Sequence, residues 1–196
     1  MAAGVIEEKA ALRRQIKALP PVDWQPLLDA FLVLPEVESA HTVMLFYGVD
    51  REPDTTELIE ALWQRGKAVA LPRCLPGRAM EARLIRPGAR LVCSACGIPE
   101  PDSECPVVQR DKIDLILVPN LCCDKGGFRL GHGGGYYDRY LAGYSGMTVS
   151  LCPKAWLQEQ LPRDQYDLPV RLVLTEAGQW RGAEAPRAVP CGMPCM

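Results

Sequence analysis

A single three-layer α/β/α domain with a mostly parallel central sheet is predicted from three observations. Helix-like and strand-like apolar periodicities alternate along most of the 196 residues. The stretch Ile113–Val118 is apolar almost throughout, as a strand covered on both faces of a parallel sheet requires. The length suits one domain with a full core.

The elements follow in order. Residues 5–19 read as a helix, because Leu12, Ile16 and Leu19 recur at helical spacing with Lys9, Arg13 and Lys17 on an adjacent stripe. Pro20-Pro21 ends it. A second helix starts near Trp24, buries Leu27, Leu28, Phe31 and Leu32, and stops by Pro35. Residues 41–47 read as a buried strand closed by Gly48. Asp54-Thr55-Thr56-Glu57 resembles a capping box with Asp54 as cap, opening a helix that buries Leu58, Ile59, Leu62 and Trp63 and ends at Gly66. Strands are expected at 68–71 and, after a Pro-Gly turn, at 82–85. Residues 87–110, rich in Pro, Gly and Cys, read as a long irregular excursion. Beyond the strand at 113–118 come a glycine-rich loop and a helix over 137–144 with Tyr137, Tyr140, Leu141 and Tyr144 on one face. Strands at 147–151 and 170–174 flank a short helix near 154–160. The domain therefore spans 1–177, and residues 178–196, which lack periodicity, read as a flexible tail.

The net charge of −2 gives no support for wholesale nucleic-acid binding, which usually shows as a strongly basic face. No apolar run approaches the roughly 20 residues needed to span a bilayer. The N-terminus lacks the basic and apolar regions of a signal peptide, so the expectation is a cytoplasmic protein with neither nucleic-acid nor membrane partners. Nine cysteines form an odd-numbered set, better read as reduced thiols than as a disulfide framework. Cys93-x-x-Cys96 with Cys105 lacks the second pair or nearby histidine of a zinc site.

The chemistry concentrates in Arg129-Leu130-Gly131-His132-Gly133-Gly134-Gly135-Tyr136-Tyr137-Asp138-Arg139. Four glycines in five positions bring backbone amides within reach of an anion. Arg129 and Arg139 add positive charge, and Asp138 offers a carboxylate to a hard cation. The spacing is neither that of the P-loop nor that of a dinucleotide fingerprint.

This stretch, with Asp114–Pro119 and Asp124 before it, strongly resembles the 5-formyltetrahydrofolate cyclo-ligase family, also called methenyltetrahydrofolate synthetases. Lys9-Ala10-Ala11-Leu12-Arg13, Glu52-Pro53-Asp54-Thr55, Arg65-Gly66-Lys67, Leu71-Pro72-Arg73, Gly97–Pro101 and residues 160–176 agree with the family in the same order. The resemblance spans residues 5 to 176. It implies an enzyme that converts 5-formyltetrahydrofolate, with or without a polyglutamate tail, to 5,10-methenyltetrahydrofolate using ATP and Mg²⁺. By position it assigns Lys9, Arg13, Arg129, Leu130, Gly131, His132, Gly133, Gly134, Gly135, Tyr136 and Tyr137 to ATP. Tyr47, Glu52 and residues 132–136 are assigned to the folate, and Asp138 and Asp167 to the metal. No residue is assigned as a discrete acid or base, and a monomer is expected. Gly134 departs from the Lys or Arg frequent at that position, which shifts phosphate binding onto Lys9, Arg13 and Arg129. Tyr47 replaces an aliphatic residue found in some relatives.

Two rivals stand beside this reading. One is a sugar-phosphate isomerase or CoA-transferase relative on a similar scaffold, which needs a carboxylate near an anion loop but no ATP. The other is a folate- or nucleotide-binding protein without turnover, motivated by Gly134. Tyr137, Tyr140 and Tyr144 read as core packing rather than a stacking platform.

Overall fold

The computed structural model describes residues 2–95 and 97–182. Three helices precede the first strand and one follows it: α1 (Ala2–Ala18), α2 (Gln25–Leu32) and α3 (Pro35–Ser39), then β1 (Thr42–Met44) and α4 (Thr56–Gln64). The middle of the chain is β2 (Ala68–Leu75), β3 (Ala79–Ile85), β4 (Leu91–Cys93), β5 (Pro99–Pro101), β6 (Val107–Val108) and β7 (Leu115–Leu117). Then come β8 (Cys122–Cys123), β9 (Arg129–Leu130), α5 (Tyr136–Leu141), β10 (Met147–Leu151), β11 (Leu172–Thr175) and β12 (Gly178–Arg181).

Eight strands form one sheet in the order β12-β11-β10-β7-β1-β2-β3-β6. The five inner strands from β11 to β2 are parallel, while β12 pairs antiparallel with β11, β3 with β2, and β6 with β3. Alternation along the strands divides the core in two. Val43, Val69, Leu71, Leu115, Leu117, Val149 and Leu172 pack with Leu27, Phe31, Val37, Leu58 and Leu62 of α2, α3 and α4. Met44, Ala70, Ile116, Val118 and Val173 face the other way, toward Ile16 of α1 and Leu141 of α5. The expected three layers are present, with few helices.

Several local expectations change. Pro35 ends one helix and opens another: its fixed φ and missing N–H suit the first turn of α3. Asp54 bonds the N–H of Thr56 at 2.9 Å, but the residue at the helix N-cap is Thr55, whose hydroxyl donates instead to the carbonyl of Phe46. The strand expected at 82–85 is the end of a longer hairpin, β2–β3, turned by Gly77 and Arg78 at φ 75° and 61°. The excursion at 87–110 contains the β4–β5 hairpin and the edge strand β6. The helix near 154–160 is only a 3₁₀ turn over Lys154–Trp156. Residues 178–181, expected in the tail, form β12 against β11, while 183–196 lie outside the described residues, as does Cys96.

Candidate functional site

The glycine loop is launched by the small β8–β9 hairpin, which is built around a fully buried carboxylate. Oδ1 of Asp124 accepts the N–H groups of Gly126 and Phe128 at 2.9 and 3.0 Å, and Oδ2 accepts that of Leu161 at 3.0 Å. Arg163 lies 3.5 Å from Oδ2. The hairpin then meets the residues before β11 so closely that a Cβ on Gly127 would lie 2.4 Å from the carbonyl oxygen of Val170. Leu130 is buried, and the chain emerges as Gly131–Gly135 with Gly133 and Gly135 at φ 102° and 67°, which only glycine adopts without strain.

Basic side chains surround this loop. Nε of Arg13 donates to the carbonyl of Gly131 at 2.8 Å, and its guanidinium lies beside Gly133. Arg129 is almost fully buried; it donates to the carbonyl of Leu168 at 2.7 Å and pairs with Asp138 at 3.1 Å. The same Asp138 oxygen accepts the N–H of Leu168. Lys9 bridges Asp164, at 2.9 Å, and Asp167. Burial alone would lower the Lys9 pKa, but the hydrogen bonds and charges of the two aspartates outweigh it and hold it above the ordinary lysine value. Asp164 is held below the usual carboxylate range, first by its hydrogen bond from Lys9. Helical spacing thus brought Lys9 and Arg13 to the same end of the fold. Asp164, not foreseen as a site residue, shares Lys9 with Asp167.

Asp138 accepts the N–H of Leu168, the residue that follows Asp167. Each aspartate spends one oxygen on a cation, leaving Oδ2 of Asp138 and Oδ1 of Asp167 without a hydrogen bond among the described residues. Among those residues no three His, Cys, Asp or Glu side chains form a metal cage. The two open carboxylate oxygens are of the kind a hard cation such as Mg²⁺ accepts, with phosphate oxygens and water to complete its shell.

Beside the loop lies a cavity of about 290 Å³ lined by Lys17, Arg51, Glu52, Asn120, His132 and Trp156, among others. Glu52 and His132 approach to 3.4 Å. The segment carrying Glu52 is fixed by sterics: a Cβ on Gly48 would lie 1.8 Å from the carbonyl oxygen of Pro53. Arg51 ties the segment to the end of α1 through the carbonyls of Lys17, Leu19 and Pro20, and it stacks over Trp156. Asn120, Arg51 and Trp156 were not foreseen; no residue pattern marks them, since only folding brings them together. Tyr47 does not join Glu52 here. It lines a second cavity, about 220 Å³, with Ile59, Trp63, Ile85 and Leu91.

Tyr137, Tyr140 and Tyr144 pack on the core as expected. The hydroxyls of Tyr137 and Tyr140 are buried with no hydrogen-bond partner among the described residues, and burial pushes both upward in pKa, Tyr140 to about 12. Cys122, Cys123 and Cys152 are buried reduced thiols of the core; burial raises Cys122 to about 12 and Cys123 in the same direction, which keeps those two from acting as nucleophiles. No helix among the described residues is long and apolar enough to cross a membrane.

Comparison with known proteins adds a third line of evidence. The model of the 5-formyltetrahydrofolate cyclo-ligase family matches residues 6–176. The chain is 34% identical over 179 residues to the 5-formyltetrahydrofolate cyclo-ligase of Escherichia coli, covering 86% of this chain and 98% of that one. With the Haemophilus influenzae protein of the same name it shares 32% identity over 152 residues, 74% and 81% of the two chains. The solved structure of Aquifex aeolicus 5,10-methenyltetrahydrofolate synthetase matches with a TM-score of 0.77 at 29% identity, covering 92% of this chain and 95% of that chain.

Proposed function

The chain belongs to the 5-formyltetrahydrofolate cyclo-ligase family, and from that membership we propose that it converts 5-formyltetrahydrofolate to 5,10-methenyltetrahydrofolate at the expense of ATP. The observation that carries this reading is the junction of two sites. A glycine-rich loop clasped by Arg13 adjoins, through His132, the cavity that holds Glu52.

The reaction needs this junction because the formyl oxygen is a poor leaving group. Transfer of the γ-phosphoryl group to that oxygen, with release of ADP, makes it a phosphate ester. The folate's anilino nitrogen then attacks the formyl carbon, and the carbon–oxygen bond breaks. Phosphate leaves with the former formyl oxygen and the proton of that nitrogen. The protein's share is positioning and neutralisation of spreading charge. The amides of residues 131–135 and the Arg13 guanidinium would hold the phosphates. Glu52 would accept N–H groups of the pterin, with His132 turned toward it. Asp138 and Asp167 would hold Mg²⁺, which when bound neutralises phosphate oxygens. Lys9 orients Asp167, and Arg129 orients Asp138, for that task. The substrate's polyglutamate tail and a monomeric state belong to the same proposal.

The test is direct. Purified protein mixed with 5-formyltetrahydrofolate, ATP and Mg²⁺ yields the absorbance of methenyltetrahydrofolate, and omission of ATP abolishes it. Folate binding without product at any protein concentration would instead identify a binding protein. Product formed without ATP would exclude phosphoryl activation.

A further inference from the structure

We propose that Arg139 is a nucleotide-binding residue that closes the far end of the glycine loop over the phosphates. The inference rests on the nucleotide reading above and assigns a residue outside the loop. Nη1 of Arg139 donates to the carbonyls of Gly134 and Gly135 at 3.2 and 3.0 Å, which uses both of its hydrogens. Nη2 and Nε, with three further N–H groups, have no acceptor among the described residues, and the side chain is exposed. The guanidinium lies against the loop backbone: a Cβ on Gly135 would come 2.8 Å from Nη1. Glycine at 135 is thus what admits the cation to the loop.

Charge accounting singles this residue out. Lys9 is shared between Asp164 and Asp167, and Arg129 is committed to Asp138. Residues 130–137 contain no basic side chain except His132, which faces Glu52. Among the described residues, Arg13 and Arg139 are the cations on the loop with no carboxylate partner. They grip it at opposite ends, Arg13 on Gly131 and Arg139 on Gly134 and Gly135. Each guanidinium keeps N–H groups in a planar fork that matches two phosphate oxygens. An arginine that merely tied down loop carbonyls could not be replaced by a cation placed elsewhere on the loop.

Calorimetric titration with ATP in excess Mg²⁺, beside steady-state kinetics and thermal melts, separates the two. Arg139→Gln is expected to weaken ATP binding by roughly tenfold or more, the loss of a charge-assisted hydrogen bond, and to raise KM for ATP but not for the folate. Gly134→Lys in the Arg139→Gln background should recover affinity. The backbone at 134 tolerates a side chain once the Tyr136 ring, 2.7 Å from such a Cβ, turns aside. Unchanged ATP affinity in a folded Arg139→Gln protein overturns the proposal. Should that variant not fold, Arg139→Lys decides: a weakened Kd supports the fork, an unchanged one overturns it. ATP binding weakened by the substitution in a protein without turnover would sustain Arg139 while the cyclo-ligase reading fails. Normal turnover with an unaltered ATP KM in Arg139→Gln would do the reverse, and a wild-type protein that binds no ATP would remove both.

Discussion

Gly48 and Asp124 show how single residues set the site without touching a ligand. A methyl group at Gly48 would overlap the carbonyl of Pro53, so Gly48→Ala must push apart the segment that carries Glu52. The expected cost is about 2–4 kcal/mol of stability in urea unfolding, with a raised KM for the folate because Glu52 moves. A KM unchanged in the face of that destabilisation would separate Glu52 from substrate binding. Asp124→Ala strands three amides that its carboxylate now satisfies, those of Gly126, Phe128 and Leu161. It should cost about 3 kcal/mol or more, and Asp124→Asn, which keeps one oxygen, should cost less. Urea unfolding of the two variants checks that order. At this scale the chain is legible in residue type but not in partnership. Helical spacing placed Lys9 and Arg13 on one stripe, yet the aspartates that hold Lys9 lie more than 150 positions away and no local pattern points to them.

Among the elements, those governed by burial were the easiest to foresee. The parallel strands β7 and β10 and the amphipathic helices α2 and α4 carry periodicities that the core enforces. Short outlying strands escaped: β5 and β12 carry proline, glycine and polar residues that look like loops, β4 and β6 are only three and two residues long, and all gain their identity from pairing. β12 makes a concrete case. Its four residues pair with β11 from Leu172 to Thr175, Trp180 packs on the core, and Arg181 bonds Glu36 at 2.9 Å. A chain ending at Ala177 should lose on the order of 2 kcal/mol and leave the β11 edge open to intermolecular pairing. Thermal melting and light scattering measure both effects. An unshifted melting temperature would show that β12 adds nothing to the sheet.

Across the whole molecule, the glycine loop works because distant parts of the chain close around it. α1 supplies Lys9 and Arg13, the hairpin after β7 launches the loop, and the segment before β11 contributes Asp164, Asp167 and Leu168. The Lys9–Asp164–Asp167 cluster ties the first helix to that late segment, so its protonation reports on closure of the site. Asp164 has a lowered pKa in the folded state; its contribution is present above the ordinary value of 3.8 and is lost as pH falls through the lower folded value. Lys9 has a raised pKa; its contribution is complete below the ordinary 10.5 and is lost as pH rises through the folded value. Tyr137, Tyr140 and Tyr144, raised by burial, add a second alkaline loss: above pH 10 the unfolded chain ionises first and stability falls. Unfolding free energy measured against pH should therefore be level across the neutral range, with an acid limb below about pH 4 and an alkaline limb above about pH 10. Lys9→Met isolates the cluster, because the tyrosine loss persists in the variant while the lysine loss does not. Asp164 is 41% exposed, so the difference between the two proteins should be small and should shrink further in high salt. Curves that stay parallel at every pH and salt concentration would show that the cluster does not couple α1 to the loop, leaving Arg13 as the contact that does.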